Sequence, residues 1–262
     1  MILIDVHCHL DHACFKDKLD EVLKRAEEAG LKAIITNGIN PETNRISLKL
    51  AEKYKMIRPA LGIYPIDALR KEIEEFEYPV KFGEFDIDSE LKFIEENKGK
   101  IAAIGEIGLD FVRSDEGQKK EQELLFRKFI ELAKRIDKPI IVHSRKAELR
   151  VVEILEELKP KKVVLHCFSG RHHLVKRAIK NGWYLSIPCN IVRSEHFQKV
   201  VELCPLSHLF TETDAPLLSP YKERLNEPAF VVETIRKIAE IKQMDALEVA
   251  NNIYQNYQRV FG

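Results

Sequence analysis

Ile2-Leu3-Ile4-Asp5-Val6-His7-Cys8-His9 is a short apolar, β-branched run that closes on two histidines. Successive side chains of a strand point to opposite faces, so His7 and His9 share a face, with Asp5 behind them. Two imidazoles on one face at a strand end can hold a metal ion, but a lone H-x-H also reads as a pair of surface or hydrogen-bonded histidines. The choice rests on whether the pattern, an apolar strand ending in polar side chains, recurs along the chain. It does, with strands expected at residues 2–6, 33–36, 57–61, 101–105, 140–143, 163–166, 183–187 and 209–211.

Between these runs apolar residues recur at three- and four-residue spacing, as in Leu19, Val22, Leu23, Ala26 and in Leu125, Phe129, Leu132, Ala133, which is the helical period. Ala29-Gly30 and Asn181-Gly182 end two of the helices, and Asn40-Pro41 opens another. Eight β/α pairs in 262 residues predict an α/β fold, a TIM-type (β/α)8 barrel forming one domain over residues 1–262. A doubly wound open sheet is the alternative, and the near-regular repeat favours closure. The one oversized connection, residues 64–100, is expected over the barrel mouth, with helical stretches at 69–76 and 89–96 around a loop at 79–88. Helices at 229–241 and 246–261 are expected to cover the outside.

Lys plus Arg and Asp plus Glu number 42 each, so no overall positive field marks a duplex or membrane binder, although a local basic rim is compatible with that balance. The five cysteines form no C-x-x-C pair and are odd in number, which fits a reducing compartment better than a disulfide framework. No apolar run approaches the ~18 residues that span a bilayer. The first residues already carry Asp5 and His7 and do not read as a signal peptide. A cytoplasmic location is expected.

In such a barrel the active site lies at the carboxyl ends of the strands. Strand one ends in His7 and His9, strand four in Gly105-Glu106-Ile107-Gly108-Leu109-Asp110, strand five in His143, strand six in His166, and strand eight runs Thr211-Glu212-Thr213-Asp214. A charged glutamate at the end of an apolar strand is costly unless paired or bound to a cation. Four histidines, Glu106 and Asp214 at one rim therefore point to metal, and six ligands exceed the needs of one tetrahedral site. Two ions fit better: His7, His9 and Asp214 on one, His143 and His166 on the other, and Glu106 bridging. The glycines beside Glu106 are expected to leave room for a ligand or ion, although glycine near a strand end also has a plain turn reading. Imidazole-rich ligation suits zinc or manganese, whereas magnesium prefers oxygen ligands.

Taken together, Asp5-Val6-His7-Cys8-His9-Leu10-Asp11, Gly105-Glu106-Ile107-Gly108-Leu109-Asp110, Gln122 with Phe126, His143-Ser144-Arg145, His166-Cys167-Phe168-Ser169-Gly170, Glu212-Thr213-Asp214-Ala215-Pro216 and Asn226-Glu227-Pro228 resemble, in order, the motifs of the TatD family of metal-dependent nucleases. The ligand roles given above agree with those the resemblance implies. It further implies hydrolysis of DNA phosphodiester bonds, as a 3′-5′ exodeoxyribonuclease preferring single-stranded ends, with divalent metals that often include magnesium. Three departures stand out. Family members often read G-x-H-P-H where this chain has Gly62-Ile63-Tyr64-Pro65-Ile66, Lys146 replaces a commonly acidic residue, and Leu225 stands where arginine is common. These bear on substrate choice and leave the proposed ligands untouched.

On this reading paired metals activate a water, Asp214 accepts its proton, and Glu106 sets the separation of the ions. Arg145 would pair with a phosphate in a forked geometry, Tyr64 would donate a hydrogen bond, and Ser169 with Gly170 would cradle a second phosphate through backbone N–H groups. Arg145 also reads as a solvated helix-start residue, Ser169 as a helix cap and Tyr64 as a packing aromatic. His172 and His173 read as exposed, His12, His196 and His208 as lacking partners at the rim, and Cys8 and Cys167 as packed away from it. Glu212 shares parity with Asp214 and reads as an outer partner. The rival function is a metal-dependent amidohydrolase or lactonase acting on a small molecule. A non-catalytic nucleic-acid binder is the third reading, and it lacks the basic, aromatic groove that such a role needs.

Overall fold

The structure, a computed structural model, describes residues 1–65, 85–112 and 114–262. Eight strands lie side by side in the order of the chain, and every described pairing is parallel. They are β1 (Leu3–Cys8), β2 (Leu31–Asn37), β3 (Ile57–Leu61), β4 (Ala103–Asp110), β5 (Ile140–Arg145), β6 (Val163–Leu165), β7 (Tyr184–Ile187) and β8 (Leu209–Thr211). The sheet curls into a nearly closed barrel, as the eightfold repeat predicts. Its seam, between β8 and β1, is held largely by side chains. The Thr211 hydroxyl donates to the Ile4 carbonyl at 2.7 Å. Asp5 accepts from the Thr213 N–H at 3.0 Å and from the Thr213 hydroxyl at 2.5 Å. Just past β8, the Asp214 N–H donates to the His7 carbonyl at 2.8 Å and the His9 N–H to the Ala215 carbonyl at 2.9 Å.

Nine α-helices surround the sheet among the described residues: α1 (Leu19–Ala29), α2 (Pro41–Lys53), α3 (Ile87–Glu96), α4 (Glu116–Ile136), α5 (Glu148–Leu158), α6 (His172–Lys180), α7 (Glu195–Leu203), α8 (Val231–Lys242) and α9 (Ala246–Phe261). Their ends follow local chemistry. Asn40 caps α2 by accepting from the Thr43 N–H, with Pro41 just inside. Gly30, at φ +101°, ends α1 in the left-handed conformation that a side chain disfavours. In α4, Phe126, Phe129, Ile130, Leu132 and Ala133 form the buried face, each large apolar side chain contributing about 1.5–3 kcal/mol of transfer free energy. Asn256 of α9 donates to the Leu206 and Leu209 carbonyls at 2.9 and 3.0 Å, which ties the last helix to the start of β8. The expected helix at 69–76, most of the 79–88 loop and the Ile66 departure lie outside the described residues.

Strand ends differ from the sequence reading in an instructive way. β4 continues to Asp110 and β5 to Arg145 because their backbones stay paired through Gly108↔His143, Leu109↔Ser144 and Asp110↔Arg145. Polar side chains interrupt the apolar pattern there, but the ladder bonds do not depend on side-chain polarity. In contrast, β6 stops at Leu165, one residue short of its expected end, while β8 ends at Thr211 as expected, so His166 is the first and Asp214 the third residue beyond its strand.

Candidate metal centre

Six side chains from five strands or strand ends meet at the carboxyl-terminal mouth of the barrel. Glu106, nearly fully buried on β4, lies at the middle. Its Oε2 stands 3.5 Å from both His7 Nε2 and His9 Nε2. Its Oε1 stands 3.0 Å from His143 Nδ1 and 3.7 Å from His166 Nε2. Asp214 Oδ1 approaches the same nitrogens of His7 and His9 at 3.6 and 3.5 Å. The ligand atoms of His7, His9 and Asp214 lie within 4.8 Å of one another, and so do those of Glu106, His143 and His166. The first group joins the three residues expected around one ion, and the second joins the other expected histidine pair to Glu106. A third group, His7 with His166 and Glu212, arises because the His7 and His166 rings stack at 3.6 Å.

Each of three histidines is oriented from behind. His9 Nδ1 lies 3.0 Å from the Asn37 carbonyl, His166 Nδ1 3.0 Å from Glu212, and His143 Nε2 3.1 Å from Asp110. A carbonyl or carboxylate only accepts, so that ring nitrogen carries the hydrogen when the ring is neutral. The opposite nitrogen then turns its lone pair into the site. His7 Nδ1 is buried without a partner. The donor set of four imidazoles and two carboxylates, with three rings held in the ligating tautomer, fits divalent transition ions.

Electrostatics follow from crowding buried charges. Burial works to lower His9 and His166, but hydrogen bonds and charges from Asp214, Glu106 and Glu212 outweigh it and raise them to about 9 and about 10. His7 is lowered, first by burial and then by the charge of His166. Burial would raise Glu106 and Asp214, yet the surrounding imidazoles hold both carboxyls below their ordinary range. Asp214 has φ +56°, a left-handed conformation that aspartate tolerates better than most residues. The Asp214 N–H bond to the His7 carbonyl holds it there.

A pocket of about 370 Å³ opens above this cluster. Tyr64, Arg145 and Ser169, the three predicted substrate contacts, all line it together with Phe197, Leu217 and Leu218. Tyr64 is more than a packing aromatic: its hydroxyl donates to Asp110 at 2.9 Å and lies 3.1 Å from His143 Nε2. Arg145 pairs with Asp110 at 2.6 Å, and its side chain is 45% exposed. Ser169 does not cap α6, whose N-cap is Arg171; its hydroxyl donates to Glu148 at 2.9 Å. His172 and His173 are exposed and Cys8 is buried in the core, whereas Cys167, expected to pack away from the rim, lines the pocket while also packing partly against the core. His12, read as lacking partners at the rim, accepts from the Cys14 N–H at 3.1 Å and lines the pocket. His196 pairs with the Phe168 carbonyl at 3.1 Å.

β4 departs from the sequence expectation in two respects. Gly105 and Gly108 do not make room for an ion. A Cβ on Gly108 (φ +148°) would stand 2.0 Å from the His143 carbonyl oxygen, and one on Gly105 2.8 Å from Ile141 Cβ. They let β4 press against β5. Asp110, named in the sequence only as part of a motif, is the acceptor that gathers His143, Tyr64 and Arg145. Gln122 of α4 clasps its backbone, accepting from the Asp110 N–H at 2.9 Å and donating to its carbonyl at 3.0 Å. A signal was available, since Glu106 and Asp110 share strand parity. Asp11, likewise named only within a motif, lines the pocket; its Oδ1 is buried without a partner, and burial raises its carboxyl to about 6.

The profile of the family described as TatD related DNase matches residues 4–262. The chain belongs to this family. Among its relatives, the deoxyribonuclease TATDN3 of Homo sapiens is 35% identical over 263 residues, covering 99% of this chain and 94% of the relative. An uncharacterised metal-dependent hydrolase of Methanocaldococcus jannaschii is 36% identical over 258 residues, covering 98% and 96%. The crystal structure of a TatD homologue from Escherichia coli superposes with a TM-score of 0.84 at 28% identity, covering 99% of this chain and 97% of that one. The chain is thus a hydrolase of the TatD type, with the cluster around Glu106 as its candidate metal-binding residues.

Proposed function

We propose that this TatD-type hydrolase is a 3′-5′ exodeoxyribonuclease acting on single-stranded DNA ends with two divalent ions, His7, His9 and Asp214 holding one, His143 and His166 the other, and Glu106 shared. The observation that carries the reading is the division of the Glu106 carboxylate, one oxygen facing each histidine pair. Divalent ions in such a site lower the pKa of an attacking water and neutralise charge on the phosphate. The chain's own groups do the rest. Asp214, ionised at neutral pH, takes the proton of the water. Arg145 faces the same pocket and pairs with the phosphate while Asp110 accepts from its Nε. Tyr64, whose hydroxyl donates to Asp110, steadies that carboxylate at the pocket wall. The backbone N–H groups of Ser169 and Gly170 cradle a second phosphate. Phe197, Leu217 and Leu218 give the pocket an apolar wall on which the base rests. A pocket of about 370 Å³ suits one terminal nucleotide rather than a length of duplex, which supports digestion from an end. The direction rests on the TatD resemblance.

The imidazole-rich donor set favours zinc or manganese over magnesium. Five free cysteines support a reducing, cytoplasmic setting. Among the described residues no helix is long and apolar enough to cross a membrane. We further place the activity in one barrel domain over residues 1–262.

Incubation with 5′-labelled single- and double-stranded DNA, RNA and a simple lactone, under magnesium, manganese and zinc in turn, tests the assignment. Stepwise shortening of single-stranded DNA is expected. Turnover of the lactone with every nucleic acid intact would move the chain to the amidohydrolase or lactonase reading. Glu106→Ala should lose at least about 100-fold in activity and bind fewer than two metals per chain by elemental analysis, with its circular dichroism unchanged.

A further inference from the structure

A second cavity, of about 690 Å³, adjoins the metal pocket and shares Arg145 and Ser169 with it. Its wall adds Lys146, on the turn out of β5, and Arg171, the residue before α6, both exposed. Arginines on the flanks of the barrel settle into carboxylates: Arg127 on Glu157, Arg135 on Glu95, Arg150 on Glu123 and Arg177 on Glu156, at 2.6–2.8 Å. Among the described residues neither Lys146 nor Arg171 has such a partner. Glu148 is the carboxylate of this cavity, and it is engaged. Its Oε1 accepts from the Ser169 hydroxyl at 2.9 Å and from the Lys146 backbone N–H at 3.3 Å, clamping the two loops together. Two cations on one concave wall repel each other, and an anion between them removes that cost.

We propose that this cavity is a second phosphate subsite, in which Lys146 and Arg171 hold the phosphate next to the scissile one along a single DNA strand. The proposal rests on the nuclease reading for its ligand. Arg145 stands at the junction of the two cavities, so a strand anchored at the metal centre passes directly onto this wall. Phosphate contacts of this kind set affinity and register without reading sequence, which suits an enzyme that shortens any strand.

The test measures binding and hydrolysis separately. Binding of a fluorescent single-stranded oligonucleotide is followed by anisotropy in chelator, for the parent protein, for Lys146→Ala/Arg171→Ala and for Glu148→Gln. Hydrolysis of bis(p-nitrophenyl) phosphate, which has one phosphate, is followed with metal. The double variant should bind the oligonucleotide about tenfold more weakly at low salt, with a salt slope shallower by about 0.7, the loss of one phosphate contact. Its hydrolysis of the small substrate and its thermal melt should match the parent. Glu148→Gln, which keeps an acceptor oxygen but removes the charge, should tighten binding. Unchanged oligonucleotide affinity and salt slope in the double variant would overturn the subsite, as would an equal loss on the small substrate. A parent that binds DNA through these residues yet hydrolyses no phosphodiester would sink the nuclease reading and leave the subsite standing.

Discussion

Asp110 shows how much of a centre depends on a residue that touches no ligand position. It is fully buried, and burial alone would raise its carboxyl, but the hydrogen bond and charge of His143, together with Val112 N–H and Arg145, bring it down to about 2. It is therefore a fixed negative charge behind His143. Asp110→Asn keeps the size but presents an amide that both donates and accepts, so His143 loses its orienting charge. Metal affinity measured by calorimetry should fall about 10–100-fold, the usual cost of removing an outer partner of a ligand. Protons provide a second check. His9 at about 9 and His166 at about 10 are protonated at neutral pH when no ion competes. A ligating nitrogen must be neutral, so ion binding displaces those protons. Affinity should climb as pH rises toward 9–10 and drop on acidification, and binding enthalpies should vary with the ionisation enthalpy of the buffer. A buffer-independent enthalpy would show that no proton leaves. At this scale the proposed ligands were legible because strand parity and strand ends locate them. Parity with Glu106 puts Asp110 on the same face, but its role, like that of Asp11, is not legible because it depends on which side chain from another strand the carboxylate meets.

At the scale of elements, β4 is decisive, since it carries Glu106 and Asp110 and all its residues are buried. Parallel strands covered on both faces read as continuous apolar runs, so the sequence reading ended β4 at residue 105, where Glu106 breaks the run. The strand continues because β5 continues beside it, a fact of pairing and not of composition. Gly108 makes that pairing possible. Gly108→Ala adds a Cβ 2.0 Å from the His143 carbonyl oxygen at a φ of +148°, and L side chains rarely adopt that backbone. We expect a loss of at least about 2 kcal/mol in urea unfolding, with metal affinity also reduced because His143 is pushed from its place. Helices were easier to read. Capping at Asn40 and the stop at Gly30 are local, and α9 spans Ala246–Phe261 as its periodicity predicts.

For the whole molecule the question is closure, because His7 of β1 and His9 just beyond it meet Asp214 only if β8 returns to β1. Thr211 and Asp5 hold that seam. Thr211→Val preserves shape and removes the hydroxyl, leaving the Ile4 carbonyl without this donor. A loss of about 1–2 kcal/mol is expected, read as a melting temperature lower by roughly 2–8 °C. No change in the melt would mean that the backbone bonds beyond β8 suffice. By itself the sequence determined the eightfold alternation of strand and helix, the polar strand ends and the composition of the candidate ligand set, because side-chain periodicity and capping are written in neighbouring residues. Tertiary structure alone decided that one oxygen of Glu106 faces His7 and His9 while the other faces His143 and His166. It also decided that Asp110 joins Tyr64, His143 and Arg145, and that a basic cavity lies beside the pocket. Those are distances between residues far apart in the chain, set when the strands pair and the barrel closes.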